Sequence, residues 1–322
     1  MGEKIARDAS VTILILNYNQ GRFLDQAMKS VLEQSRKPDQ LLFIDDGSNL
    51  DIYELNLFIK KHSSSFSNVI DDKQNRGHTY RMNQALGLAT SKHLLLLSAD
   101  DWLEPQALET LLSVSTENDV VIFGNLNVCT EDVGTVKYIR PRETWQGKTA
   151  RKYLHGSNPF GDILKVNNFV SGGMSLISVE ALREFNGWDE NVTTEDLDLW
   201  LRMGQTKTFK YVDQIIGNYR KVEGSKSRSD TGKLLDHSLI FSKHVGSGFA
   251  TDIRLAYLAS MRWALTVARS GRLPDVSLHR MGKVIGLHPC YLYIVLPWAA
   301  MRPIVGSVGN VFRVLRRQFF KV

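Results

Sequence analysis

Two hydrophobic patterns alternate along the first part of the chain. Near-continuous apolar runs at 11–16, 41–44, 94–97 and 120–123 have the length and composition of strands buried on both faces. Between them, apolar residues return every three or four positions. Phe23, Leu24, Ala27, Met28, Val31 and Leu32 form the first such stripe, and 52–62, 78–89 and 105–114 continue it, each the buried side of a helix. A short run at 68–70 adds another strand. Strands and helices alternating at this length predict an α/β fold, a mostly parallel central sheet with helices on both faces. Farther on, Gly172 and Gly173 sit in a loop that runs into a strand ending at Ile177. Thr193 and Thr194 then cap a helix carrying Glu195 and Asp196 in its first turn, with Leu197, Trp200 and Leu201 on its buried side. The segment 129–148 has no single period.

The pattern changes after a Ser- and Gly-containing stretch at 224–232, the best candidate linker. Beyond it the periodicity is helical only, at 234–245, 253–268 and 286–322, so the expected division is a domain at 1–228 and a helical region at 229–322. Charge sharpens that division. The net charge is +6, but 254–322 holds eleven Lys and Arg against one acid, Asp275, which leaves 29 bases and 33 acids before it. The first 253 residues therefore carry −4 and the tail +10. That distribution argues against a nucleic-acid groove across the main domain and for a tail that meets an anionic membrane surface. In the last segment Val311, Phe312, Leu315, Phe319 and Val322 share a helical face, with Arg313, Arg316, Arg317 and Lys321 off its centre, the pattern of a basic amphipathic helix. A hydrophobic helix packed on the main domain is the competing reading of this tail. The twelve residues 290–301 lack charge but are too short to span a bilayer. Cys129 and Cys290 are far apart, without metal-ligand spacing, and no apolar signal core opens the sequence. The expected location is cytoplasmic, with the tail able to hold the protein on the inner face of the membrane.

Chemistry concentrates where strands end. The run 41–44 stops at Asp45, Asp46, Gly47 and Ser48, and the run 94–97 stops at Ser98, Ala99, Asp100 and Asp101. Ligands of open α/β sheets bind outside the carboxyl ends of strands. Acids delivered there suit a divalent cation or the hydroxyls of a sugar. Strand one closes in Asn17, Tyr18 and Asn19, polar residues that turn the chain. Arg76, Arg81 and Asn83 follow the third strand.

Taken in order, Asn17-Tyr18-Asn19, Asp45-Asp46-Gly47-Ser48, Asn75-Arg76-Gly77, Arg81-Met82-Asn83, Ser98-Ala99-Asp100-Asp101, Gly172-Gly173 and Thr194-Glu195-Asp196 ahead of Trp200 resemble family 2 glycosyltransferases of the GT-A fold. The resemblance covers roughly 10–227. It implies an inverting glycosyltransferase that moves a sugar from a nucleotide-diphosphate donor, UDP-linked in the usual case, to a hydroxyl of a glycan or lipid-linked acceptor in cell-surface polysaccharide assembly. It implies that Asp46 bonds the nucleobase, with Asn17, Asn19 and Asp45 around it, and that Arg76, Arg81 and Asn83 lie near diphosphate and ribose. Asp100 and Asp101 would hold Mg²⁺ or Mn²⁺, Gly172 and Gly173 would underlie the donor sugar and acceptor, and Asp196, beside Glu195, would be the general base. Two departures stand out. Ser98 replaces the first acid of the usual metal run, and Val222 stands where many members carry a metal-binding histidine.

Two other functions fit part of the pattern. A nucleotidyltransferase on a similar sheet would want a glycine-rich, basic phosphate loop after strand one, whereas 17–22 holds one glycine. A catalytically lapsed binding protein of the same fold is suggested by Ser98 and Val222, against the presence of Asp46, Asp100, Asp101, Glu195 and Asp196.

Overall fold

The computed structural model describes residues 9–132, 135–140, 150–151, 159–166, 168–222, 240 and 243–244. The linker, the division after 228 and the three C-terminal helical stretches lie outside the described residues, apart from 240 and 243–244. The first half follows the apolar pattern closely. Strand β1 (Val11–Asn17) leads through a 3-10 turn (Gly21–Phe23) to α1 (Leu24–Leu32), β2 (Gln40–Asp45), α2 (Ile52–His62), β3 (Asn68–Ile70), α3 (His78–Leu88) and β4 (His93–Ser98). Then come β5 (Trp102–Leu103), α4 (Ala107–Val114), β6 (Asp119–Asp132), β7 (Thr135–Arg140), α5 (Pro159–Val166), β8 (Leu176–Ser178), α6 (Val179–Glu184), α7 (Glu195–Met203) and β9 (Thr208–Arg220).

The strands join in one sheet ordered β3-β2-β1-β4-β8-β6-β9-β5, with β7 paired to β6. Strands β3, β2, β1 and β4 are mutually parallel, and beyond β4 the sheet is mixed: β8 runs antiparallel to both β4 and β6, while β6 and β9 are parallel. Both faces are covered. Ile13, Ile15, Leu41, Phe43, Leu95 and Leu97 join a core with Leu24, Met28 and Val31 of α1, Leu55 and Phe58 of α2 and Leu108 and Leu111 of α4. Their alternates Leu14, Leu42, Ile44 and Leu94 point the other way and are equally buried, on the face where α3 meets β1 and β2. Residues buried on both sides leave no polar alternation, which is why these strands read as continuous apolar runs.

By its contacts the chain divides into two units, Met1–Glu190 with Asp198–Ser225, and Asn191–Leu197 with Lys226–Val322. Among the described residues no helix is long and apolar enough to cross a membrane.

Candidate active site

The chain proceeds from β1 outward to β2 and β3, then returns to place β4 on the opposite side of β1. Such a reversal opens a crevice at the carboxyl ends of the two strands between which it occurs. Register brings the two acidic endings to either side of β1: Asn17 pairs with Asp45 and Leu16 with Ser98. The Asp46 N–H donates to Asn17 O, and the Ala99 N–H to Leu16 O. One site therefore collects both motifs.

The adjacent acids of β2 have separate tasks. Asp45 is fully buried and works inside the loop. Its Oδ1 accepts from Asn17 Nδ2 at 2.7 Å and Ser48 Oγ at 2.6 Å, and its Oδ2 from the Ser48 N–H at 2.8 Å. Asn19, in the left-handed region at φ +57°, joins the same brace: its Oδ1 accepts from the N–H groups of Asn49 and Leu50. Asp46 faces the β3–α3 loop. Its Oδ1 takes the Arg76 N–H at 2.8 Å and Arg81 Nε at 2.9 Å, and its Oδ2 the Gly77 N–H at 3.0 Å. Gly47 makes this approach possible, since its φ is +69° and a Cβ there would run into the Gln74–Asn75 backbone.

The two arginines differ sharply. Arg76 keeps an exposed side chain, 41%, at the edge of the crevice, where it lies over the Tyr80 ring. Arg81, expected at the diphosphate, is completely buried. It donates to Asp46, to both oxygens of Asp72 (2.6 and 3.2 Å), to Gln74 O and to Gln84 Oε1. Burial opposes its charge, but the carboxylates of Asp72 and Asp46 outweigh that, and its pKa is raised. The Arg81 hydrogen bond in turn holds the Asp72 carboxyl down at about 2. Asn83 is engaged with the turn at 188–190. Its Oδ1 accepts the Trp188 N–H, and its Nδ2 donates to Trp188 O and Glu190 Oε1, all at 2.9 Å. Arg202 holds the same turn through the carbonyls of Phe185 and Gly187.

The second acidic ending lies across β1. Asp100 and Asp101 are both buried. Gln20 Nε2 donates to Asp100 Oδ2 at 2.9 Å, so the loop after β1 reaches directly to the turn after β4. Asp101 Oδ1 accepts the Arg220 N–H at 2.9 Å. Burial raises the Asp100 pKa, partly opposed by the Gln20 hydrogen bond and by the charge of Arg220. Among the described residues no group of three or more His, Cys, Asp and Glu could enclose a metal. A pair of neighbouring carboxylates nevertheless fits Mg²⁺ or Mn²⁺, which commonly take one or two protein carboxylates and complete their shell with phosphate oxygens and water. A buried carboxylate whose negative charge is disfavoured is also a chemically apt partner for a cation.

The glycine loop runs against the end of β4. The Met174 N–H donates to Leu96 O, Ser171 Oγ to Gly173 O and Ser175 Oγ to Ser171 O. Met174 is left-handed at φ +59°. Among the described residues a Cβ on Gly173 would meet only Leu96 O, at 3.8 Å, so neither packing against them nor backbone angle demands glycine there. Glu195 and Asp196 open α7, and Asp196 Oδ1 accepts the Leu197 N–H at 2.8 Å. Trp188 is buried, and Trp200 is core, edge-on to Phe209 at 5.7 Å. Gln20, Asp72 and Arg220 were not foreseen from sequence as parts of the site. Each stands beside a motif, but its long-range partner is visible only in three dimensions.

The fold has counterparts among known proteins. The Glycosyl transferase family 2 model matches residues 12–185. An uncharacterised glycosyltransferase of Rickettsia conorii is 24% identical over 234 residues, 72% of this chain but only 36% of the relative's length. The GalNAc(5)-diNAcBac-PP-undecaprenol beta-1,3-glucosyltransferase of Campylobacter jejuni is 23% identical over 210 residues, 65% of this chain and 64% of the relative. Among solved structures, S. aureus TarS 1-349 in complex with UDP-GlcNAc superposes with a TM-score of 0.58 at 14% identity, covering 88% of this chain and 81% of that one. The Pyrobaculum calidifontis mannosyltransferase in complex with GDP-Man and Mn²⁺ gives 0.54 at 15% identity, over 98% and 88%.

Proposed function

The chain belongs to glycosyl transferase family 2, and from that premise we propose that it transfers a sugar from a nucleoside-diphosphate donor, with inversion, to a hydroxyl of a glycan or lipid-linked acceptor in cell-surface polysaccharide assembly. The observation that carries this reading is the crevice beside β1, where the end of β1 and its loop are bonded to the β2 loop through Asn17 and Asn19 and to the turn after β4 through Gln20. The β1 and β2 loops, with Asp46 fixed by Arg81, receive the base; UDP is the first donor nucleotide to try. Arg76 offers an accessible cation to the diphosphate. Asp100 and Asp101 hold Mg²⁺ or Mn²⁺, which supplies charge neutralisation to the leaving group. The loop carrying Gly172 and Gly173, which runs against the end of β4, lies under sugar and acceptor.

Asp196 takes the proton from the acceptor hydroxyl as that oxygen attacks the anomeric carbon, and the nucleoside diphosphate departs from the opposite face. Positioning and charge stabilisation carry most of the acceleration, and no covalent enzyme intermediate is needed. The basic tail attaches the protein to an anionic membrane surface where a lipid-linked acceptor resides. Replacing Asp196 by Asn is expected to lower turnover by ~10²–10⁴-fold while calorimetric donor affinity stays at the wild-type level. A variant that turns over at the wild-type rate removes Asp196 as the base.

A further inference from the structure

Arg220 closes β9, and only 2% of it is exposed. Its main-chain N–H donates to Asp101 Oδ1 and its Nε to the main-chain oxygen of Asp100, each at 2.9 Å, while Nη2 donates to Gln26 Oε1. Its guanidinium lies 4.3 Å from the centroid of the Phe23 ring and 4.8 Å from that of Trp102. One residue thus ties the 3-10 turn and α1, the turn after β4, and the end of β9. Burying a guanidinium costs several kcal/mol unless its donors are satisfied and its charge is offset. Here two aromatic faces, the Asp100 carbonyl and the Gln26 amide oxygen provide that offset. Packing alone does not call for a cation, because a methionine of similar length would fill the space between the rings without the desolvation cost.

We propose that Arg220 is the positioning residue of the cation site: it fixes the Asp100–Asp101 turn from the protein side, so that both carboxylates are presented before cation and diphosphate arrive. The inference rests on reading Asp100 and Asp101 as the metal carboxylates. Lysine cannot replace it, since a compact ammonium on a flexible stem lacks the flat fork that stacks between two rings while donating along its edge.

The test is a titration of the full chain with Mn²⁺ in the presence of UDP and, separately, GDP, following free Mn²⁺ by electron paramagnetic resonance, with thermal melts as the folding check. Wild type is expected to take up Mn²⁺ with one of the nucleotides, and Arg220→Lys to bind it at least about 10-fold more weakly, with metal-free nucleotide affinity unchanged. Should Arg220→Lys not fold, Phe23→Leu, which keeps the guanidinium but removes one ring, is expected to weaken Mn²⁺ in the same direction. If wild type binds Mn²⁺ and the folded variant binds it as tightly, the role of Arg220 is overturned while the metal reading stands. If wild type takes up no Mn²⁺ with either nucleotide, the metal reading fails and this inference with it.

Discussion

At the scale of single residues, the adjacent acids after β2 show what a sequence exposes and what it hides. Asp45 and Asp46 announce themselves by following an apolar run, but nothing local separates the loop brace from the residue facing the β3–α3 loop. The separation comes from partners 28 to 35 positions away, Asn17 for Asp45 and Arg81 for Asp46. Arg81 was legible as a cation near the site, yet its complete burial was not, because a charged residue in a helix reads as solvent-facing until its carboxylates are known. Replacing Arg81 by Met leaves Asp46 and Asp72 without their shared cation, and the expected cost is about 3–5 kcal/mol in urea unfolding. A loss below about 1 kcal/mol, the size of a surface pair, contradicts a stabilising role for the buried Arg81 network. The acid limb gives a second readout. The Asp72 pKa is depressed from 3.8 to about 2 by Arg81, so the stability it contributes is present above the unfolded value and is lost as pH falls through the range between those values. That acid-dependent loss should flatten in Arg81→Met.

At the scale of elements, strands buried on both faces were the easiest to foresee, because they leave runs that no amphipathic helix would. Strands β1, β2 and β4 and helices α1 to α4 fall within a few residues of their expected bounds. The thirteen-residue β9 was not foreseen, nor were α5 and α6. In β9 buried Phe209 and Val212, exposed Asp213 to Ile215 and buried Ile216 to Asn218 break the alternation expected of a half-buried strand. The cause is in the pairing: across consecutive Gly124, Asn125 and Leu126 of β6, the partner residue in β9 advances from Val212 to Ile215 and then to Gly217, and each bulge resets which side chains face the core. The stretch from 129 was ambiguous for the same reason, since β6 continues to Asp132 and turns back as β7 with a further shift at Val128. Missing β9 also meant missing Arg220, whose value depends on the strand delivering it to the acidic turn.

At the scale of the whole molecule, the uneven charge gives the chain two distinct characters, −4 over the first 253 residues and +10 beyond. We expect the full chain to sediment with phosphatidylglycerol vesicles at low salt and to be released as salt rises. Removing 286–322 should abolish sedimentation, and a full chain that stays in the supernatant at every salt concentration excludes attachment. The proposal that ties the family, the sheet and the crevice together is that this protein breaks the bond between a sugar and a nucleoside diphosphate with a cation held at Asp100 and Asp101. The most direct measurement is nucleoside diphosphate release from a panel of nucleotide sugars with Mn²⁺ present, repeated with a chelator and with Asp100→Asn. Release is expected from at least one donor, lost with the chelator and strongly reduced in the variant. Release from no donor, or release that neither the chelator nor Asp100→Asn diminishes, contradicts it.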